Sequence, residues 1–259
     1  ALVERKANLR QTNDIVQDIV SFEPMIQSVT SKASTLQQGV PATEISSKYE
    51  TLTKQAKEIF AKQKDAVEKM QAFLDAGNDF AQWIRNAKEE INKCSESSGD
   101  KEILISKLTQ LKALENDIPN GQEKLQNALT QANIAIRDAS SEDREQIEED
   151  VALMQGEMDN YVDVAKHSKK KLELGITKWT EFNKKQEEAF KWLNDKEVTV
   201  QSFNKLQTCL EEKRVALEKF QSLLQALFDW QRDLDDINIA AQTLLDICAD
   251  TRISNIITQ

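Results

Sequence analysis

Residues 73–84 read FLDAGNDFAQWI and residues 182–193 read FNKKQEEAFKWL, so each stretch begins with Phe and places Trp followed by a branched aliphatic residue ten positions later. The same spacing of 109 positions pairs apolar or small residues on both sides: Val67 with Ile176, Met70 with Trp179, Leu111 with Phe220, Leu125 with Leu234, and Ala132 with Ala241. Self-similarity at a fixed period of this kind indicates a tandem repeat.

A third, partial copy lies at the N-terminus, 99 positions before the middle copy. It pairs Leu9 with Leu108, Ile15 with Leu114, Ile19 with Ile118, and Ile26 with Leu125. The spacing changes from 99 to 109 between Leu36 and Ile45, so the middle copy carries about ten extra residues near positions 137–146. An insertion at this point suggests a loop between helices.

Apolar or small residues recur at alternating intervals of four and three from Ile45 to Ile91, and again from Ile147 to Leu193. This spacing predicts one long helix over each run. A further run from Leu108 to Ala135 predicts the second helix of the middle copy, helix B. We therefore expect three helices in each period.

Breaks between helices are expected where small, polar and turn-forming residues cluster, at residues 38–41, 95–100, 137–141 and 194–202. Thr43, Ser98 and Ser140 are predicted helix N-caps, because their side-chain oxygens can accept from free backbone N–H groups. Pro119 lies inside helix B, where we expect a kink rather than a full break, and Pro24 poses the same problem in the first copy.

The composition favours long amphipathic helices, because the 259 residues are 39% hydrophobic and 30% charged with only six Gly and three Pro. A formal charge of −10 argues against a nucleic-acid partner. No apolar run is long enough for a membrane span, no signal peptide is present, and the missing initiator Met suggests a piece of a longer protein. Insertion into a membrane is not expected of this segment.

Three cysteines, Cys94, Cys209 and Cys248, are odd in number and lack metal-ligand or redox spacing. Buried or half-buried free thiols in a reducing, cytoplasmic compartment are therefore expected.

Catalytic, cofactor-binding and metal-binding residues are all predicted to be absent, because the chain has one histidine and no group of residues that could activate a nucleophile. The sequence predicts no enzyme and no cofactor.

Two features of the sequence are candidate binding sites. The sole histidine, His167, lies in the basic run KHSKKK at residues 166–171, which is either a patch for an acidic partner or lipid head group, or a solvated face that balances the acidic residues 142–150. We favour the solvated face.

Four tryptophans are predicted to pack in the core, with a ligand cage as the alternative: Trp83, Trp179, Trp192 and Trp230.

At this point the chain resembles the spectrin repeat family. Residues 71–75 (QAFLD) and 80–84 (FAQWI) resemble the family's first helix, and residues 112–115 (KALE) its second. The heptad run from Met154 past Leu172 is similar to a third helix that passes directly into the next repeat's first helix. The family often has a second aromatic residue in the third helix, for which Tyr49 and Tyr161 are the nearest candidates.

This resemblance implies an all-α fold of tandem three-helix, left-handed coiled-coil bundles, with long helices shared between repeats. One complete repeat is predicted at 66–172, between an incomplete repeat at 1–65 (helices B and C) and another at 173–259 (helices A and B). Each flank then leaves an apolar stripe without a third helix, and the stripes include Ile19, Ile26, Leu227 and Leu234. We hypothesise closure by self-association or swapping.

The resemblance also implies a function, which is a structural rod or spacer in a giant linker of the actin cytoskeleton that sets distance and transmits load. Polar repeats with variable loops are more similar to nesprin, dystrophin or spectraplakin rods than to spectrin or α-actinin. A nesprin-like parent is favoured, which implies actin at one end and the nuclear envelope at the other. The alternatives are a protein-docking module near Pro119 or His167, and a homodimerisation platform through residues 9–36 and 217–244.

Overall fold

The computed structural model describes residues 2–36, 39–248, 254 and 255, and for residues 39–41 it describes the backbone alone. Seven α-helices follow one another in this described part of the chain: α1 Leu2–Ser21, α2 Glu23–Thr35, α3 Gly39–Cys94, α4 Lys101–Ile136, α5 Ser141–Ser202, α6 Leu210–Asp229 and α7 Gln231–Ile247. The connections after α3, α4 and α5 are residues 95–100, 137–140 and 203–209. The fold is all-α, as predicted.

The chain divides into two compact units. The first unit is Ala1–Arg85 with Pro119–Asp159, and the second is Asn86–Ile118 with Asn160–Gln259. Helices α3, α4 and α5 contribute residues to both. The predicted repeat boundaries at 65/66 and 172/173 are a different division of the chain and stay a prediction, although each lies within one unit.

The two long helices predicted from the heptad spacing are confirmed as α3, with 56 residues, and α5, with 62 residues. The break expected at residues 194–202 is wrong, because α5 continues to Ser202. This stretch contains neither Gly nor Pro, and its β-branched residues cost only tenths of a kcal/mol each in a helix. The chain leaves the helix at residues 203–209 instead.

One predicted N-cap is confirmed and two are wrong. The Asp143 backbone N–H donates to Ser140 Oγ at 3.2 Å, which is the geometry of a cap at the start of α5. Thr43 lies inside α3, and α4 is capped by Asp100 rather than Ser98, since Ile103 N–H donates to Asp100 Oδ1 at 2.9 Å. A turn of four residues, 137–140, joins α4 to α5, so most of the middle copy's extra residues extend α5 rather than form the predicted loop.

Helix B is interrupted at the same repeat position in the first and last copies, but not in the middle copy. In the first copy it is interrupted at Phe22, with Pro24 in the first turn of α2, and in the last copy it is interrupted at Trp230. In the middle copy the equivalent residue is Gly121, and α4 runs through Pro119 as one continuous helix. A full break at Pro119 is therefore absent, as expected, whereas α1 and α2 are separate helices on either side of Phe22.

Each unit has its own apolar core. In the first unit a cluster joins three helices through Met70 and Phe73 of α3, Ala132 and Ala135 of α4, and Ile147 of α5. In the second unit the fully or nearly fully buried side chains come from four helices and include Ile91 of α3, Leu104 and Leu111 of α4, Leu172 of α5 and Leu244 of α7. Most of these residues occupy predicted heptad positions, as expected of amphipathic helices. The same spacing also predicted burial of Ile45, Leu52 and Ile59 on α3, and this is wrong, because their side chains are exposed.

Candidate functional site: the junctions between repeats

Two polar contacts and one apolar contact join the N-terminal helix α1 to residues near the first predicted junction. The Arg5 guanidinium forms an ion pair with Asp143 in the first turn of α5, and Lys6 Nζ donates to Gln71 Oε1 of α3 at 2.7 Å. Leu2 packs against the core cluster of this unit. The start of α1 therefore contacts both α3 and α5. The contacted residues of both helices lie on the C-terminal side of the boundary predicted at 65/66.

Electrostatics favour the charged forms of the groups at this junction. The hydrogen bond from Ser140, and then the contacts with Arg5, lower the pKa of Asp143. Lys69 Nζ donates to Asp138 Oδ2 at 2.6 Å, and this contact raises the pKa of Lys69 and lowers that of Asp138. Because the Lys69 and Asp138 groups are exposed to solvent, they contribute orientation more than stability.

The second junction is built on a close approach at Gly175, three residues past the boundary predicted at 172/173. A Cβ added to Gly175 would lie 2.8 Å from Leu104 Cδ1 of α4 and 3.1 Å from Cys248 Sγ at the end of α7. Separations this short leave no room for a side chain without movement of the neighbours. Glycine therefore lets α5 pass between two neighbouring segments at this point.

The loop at residues 95–100 fastens this junction with two hydrogen bonds. The Trp179 indole N–H donates to the Gly99 carbonyl at 3.1 Å in a buried position, and Ser97 Oγ donates to the Ile247 carbonyl at 2.8 Å. Gly99 has a φ of 124°, which side-chain-bearing residues rarely adopt. The loop thus connects α5 beyond the junction with the C-terminal end of α7.

In the middle copy, an indole contact and an ion pair join α3 to α4. The benzo ring of Trp83 lies against Gly121, so closely that an added Cβ would be 2.1 Å from Trp83 Cη2. Next to it, Lys124 Nζ forms an ion pair with Asp79 at 2.7 Å, which also joins α4 to α3. Because Gly121 has no side chain, a large indole is buried against a continuous helix.

In the last copy two indole rings stack at the equivalent position. Trp192, equivalent to Trp83, stacks on Trp230, equivalent to Gly121, with ring centroids 4.4 Å apart and planes 7° apart. The prediction that all four tryptophans pack in the core is confirmed for Trp83 and Trp179 and wrong for this pair, which is half-buried. The 109-residue spacing pairs Gly121 with Trp230, so the sequence itself contains the signal of this difference.

Two tyrosines were the candidates for an aromatic residue in the third helix. Tyr161 is buried in α5, and burial, followed by the charge of Asp117, raises the pKa of its phenol to about 12. Tyr49 lies on α3, and its hydroxyl donates to the Ile19 carbonyl at 2.9 Å. Tyr161 thus has the burial expected of a core aromatic in the third helix of the middle copy.

The basic run at residues 166–171 is a helical face on α5. His167 and Lys170 are exposed, whereas Lys169 forms an ion pair with Glu115 of α4 at 2.8 Å, which raises the pKa of Lys169. The favoured interpretation was a solvated face balanced by the acidic residues 142–150. The contact in the structure is instead with a carboxylate of α4.

The cysteines are free thiols, but their exposure was predicted correctly for two of the three. Cys94 and Cys248 are buried, and burial raises the pKa of both thiols. Cys209 is exposed and caps α6, where its Sγ accepts from Glu212 N–H at 3.4 Å and the Glu212 carboxylate accepts from the Cys209 backbone N–H. A thiol therefore takes the place that Ser or Thr has in an ordinary capping box.

Within the described residues, no group of three or more His, Cys, Asp or Glu side chains is arranged to hold a metal ion. No helix in that part of the chain combines the length and the apolar character that a membrane crossing requires.

Residues 68–174 match the spectrin repeat family. This segment is a spectrin repeat. The whole chain is 59% identical, over 258 residues, to Muscle-specific protein 300 kDa of Drosophila melanogaster. That similarity covers 100% of this chain and 2% of the relative, so the chain spans a small fraction of the protein it matches. No solved structure matches the chain.

Proposed function

We propose that this chain is a structural rod segment that sets distance and transmits load between its two ends. One observation carries the proposal: α3 and α5 each run unbroken across a predicted repeat boundary, α3 from Gly39 to Cys94 and α5 from Ser141 to Ser202. A helix shared by neighbouring repeats couples the stability of one repeat to that of the next. Load then passes along hydrogen-bonded backbone rather than through a flexible linker.

The contacts at the junctions support this role. At the first junction Arg5 and Lys6 hold the start of α1 against α5 and α3, and at the second Trp179 and Ser97 fasten the loop at 95–100. Each set links segments that are far apart in sequence. Separating two repeats would therefore break tertiary contacts as well as helix, and that adds resistance to extension.

Single-molecule force spectroscopy, with handles at both ends of the chain, tests the proposal. Lys64→Pro places a proline at an exposed position of α3, one residue before the predicted boundary, where it costs about 3 kcal/mol and removes a backbone hydrogen bond. Lys64→Ala is the control, because it removes the same 3.9 Å contact with Glu68 and leaves the backbone intact.

We expect the unmodified chain and Lys64→Ala to unfold in concert across the junction, and Lys64→Pro to unfold in separate steps at lower force. Identical force traces for all three chains would contradict the proposal, because they would mean that the continuous helix carries no coupling.

We extend the proposal to the parent protein, which we infer to be a cytoskeletal linker of the nesprin kind in the cytoplasm, with actin at one end and the nuclear envelope at the other. The support is the resemblance stated above and the 59% identity to a relative whose name describes it as muscle-specific. Immunofluorescence of the endogenous protein in muscle tests this extension. A rim at the nuclear envelope would support it, and a wholly sarcomeric or plasma-membrane pattern would contradict it.

Exposed apolar side chains favour homodimerisation as a second candidate function. On α6 and α7 these include Phe228 and Ile239, which are 67% and 64% exposed, and on α1 and α2 they include Ile15, Phe22 and Met25. Both sets lie on the flanks that lack a third helix in the predicted repeat scheme. Burial of these surfaces between two copies would stabilise a dimer.

Light scattering after size exclusion, over a concentration series, tests the second candidate. A dimer that dissociates on Phe228→Glu, but persists on Leu153→Glu at an exposed apolar side chain of α5 outside both flanks, would support it. A monomer at every concentration would contradict it and leave the rod as the single proposal.

A further inference from the structure

A cavity of about 320 Å³ lies between α5 and the junction of α6 with α7. The stacked indoles of Trp192 and Trp230 line it together with three carboxylates, those of Glu188, Asp233 and Asp236, and one ammonium group, that of Lys185. Ligand pockets for drug-sized molecules start at about 300 Å³, so this cavity has room for one large side chain and little more. Its lining is aromatic and negatively charged.

The equivalent position in the middle repeat contains a lysine that the last copy lacks. There Asp79 and Lys124 form an ion pair across the two helices at 2.7 Å. The equivalent residues of the last copy are Glu188 and Asp233, so the lysine is replaced by a second carboxylate. Glu188 also lies 3.9 Å from Lys184, but both side chains are exposed and such a contact contributes little. The two carboxylates at one cavity therefore still repel each other, and a cation placed between them would relieve the repulsion.

The aromatic side chains of this cavity also differ from those of the middle repeat, and this difference again favours binding of a cation. In the middle repeat Gly121 allows the indole of Trp83 to be buried, whereas Trp230 at the equivalent place keeps Trp192 half-buried. The Trp192 ring already attracts a cation, because Lys196 Nζ lies 5.5 Å from its centroid. Indole rings are the side chains that bind cations best through their faces.

We propose that this aromatic and acidic cavity binds an arginine side chain of a partner protein. A guanidinium is planar, so it can stack on an indole while its N–H groups donate to Glu188 or Asp233 in a bidentate pair. Lysine fits less well, since its ammonium is a strongly hydrated point charge. A nucleic-acid partner is disfavoured because its phosphates would meet three carboxylates.

This inference goes beyond the rod, because it assigns a binding site to one copy and not to the complete repeat. The probe is a fluorescein-labelled, Ala-rich helical peptide with two arginines four residues apart, and its binding to the full chain is measured by fluorescence anisotropy. The same peptide with citrulline in place of arginine keeps the shape and hydrogen-bonding groups but loses the charge. We expect at least tenfold weaker binding of the citrulline peptide.

Two variants replace residues of the cavity by the equivalent residues of the middle repeat. Asp233→Lys restores the ion-pair arrangement seen between Asp79 and Lys124, and Trp230→Gly removes the stacked ring. Asp235→Lys is the matched control, because it makes the same charge change on the exposed surface of α7, outside the cavity. We expect at least tenfold loss of arginine-peptide binding for Asp233→Lys and Trp230→Gly, and less than twofold loss for Asp235→Lys.

Circular dichroism at 222 nm confirms that each variant is folded before binding is compared. Equal binding of the two peptides, equal losses for Asp233→Lys and Asp235→Lys, or no measurable binding to the unmodified chain would each overturn the proposal. None of these outcomes bears on the force measurement that tests the rod.

Discussion

The contact between Trp83 and Gly121 leads to a prediction that opposes ordinary helix propensity. Glycine inside a helix is about 1 kcal/mol less favourable than alanine, so Gly121→Ala in the middle of α4 would normally stabilise the chain. At this position the new Cβ would lie 2.1, 2.2 and 2.4 Å from three atoms of the Trp83 benzo ring. The indole would have to leave its site.

Overpacking of a core typically costs 1–3 kcal/mol, and an overlap this large belongs at the upper end of about 3 kcal/mol. After subtraction of the propensity gain of about 1 kcal/mol, we expect Gly121→Ala to lower the free energy of unfolding by about 2 kcal/mol. Gly156→Ala is the matched control. Nothing lies within 4 Å of its added Cβ, so it should stabilise α5 by about 0.5–1 kcal/mol.

Urea unfolding followed by circular dichroism measures both effects without relying on tryptophan fluorescence. A double-mutant cycle isolates the contact, because Trp83→Phe removes the part of the ring that the new methyl group would strike. In that background Gly121→Ala should become neutral or stabilising by up to about 1 kcal/mol, which gives a coupling of about 2–3 kcal/mol. If Gly121→Ala stabilised the unmodified chain as much as Gly156→Ala does, the close packing of Trp83 on α4 would be refuted.

Four further outcomes are expected. Trp179→Phe keeps the aromatic ring but leaves the buried Gly99 carbonyl without its donor, so urea unfolding should show a loss of about 1–3 kcal/mol, and no loss would show that this hydrogen bond does not fasten the junction. The pKa of Tyr161 is raised to about 12 from 10.0, so the unfolded chain loses its phenolic proton first; the stabilisation is complete below pH 10 and disappears between pH 10 and 12, and Tyr161→Phe should flatten the stability profile in that window. In a thiol-reagent assay, one cysteine per folded chain, Cys209, should react rapidly, and rapid reaction of all three would contradict the burial of the other two. Ser140→Ala removes the N-cap of α5 at a cost of about 1 kcal/mol, and it should raise the pKa of the Asp143 carboxyl measured by NMR, because the hydrogen bond from Ser140 is the largest cause of its depression.

Much of the fold could be predicted because helical periodicity is local. The intervals of four and three between apolar residues fixed the existence of α3 and α5, and the 109-residue spacing fixed the tandem arrangement. Helix ends were less predictable. The polar residues 194–202 looked like a break, yet a stretch without Gly or Pro continues a helix at little cost.

Capping depends on backbone geometry that composition does not reveal. Ser98 and Asp100 are both good N-cap residues, and the loop conformation around Gly99 decides that Asp100 caps α4. The thiol cap of Cys209 could not be expected from residue preferences, which favour Ser, Thr, Asp and Asn.

The sequence by itself determined the all-α class, the tandem repeat and most of the core, because all three depend on periodic burial along a helix. The tertiary structure decided how equivalent positions differ between copies. Gly121 makes room for Trp83, whereas Trp230 stacks on Trp192 and is accompanied by paired carboxylates at Glu188 and Asp233. The reason is physical: a periodic pattern shows that a position faces a neighbouring helix, but the size and charge that fit there depend on side chains that are distant in sequence.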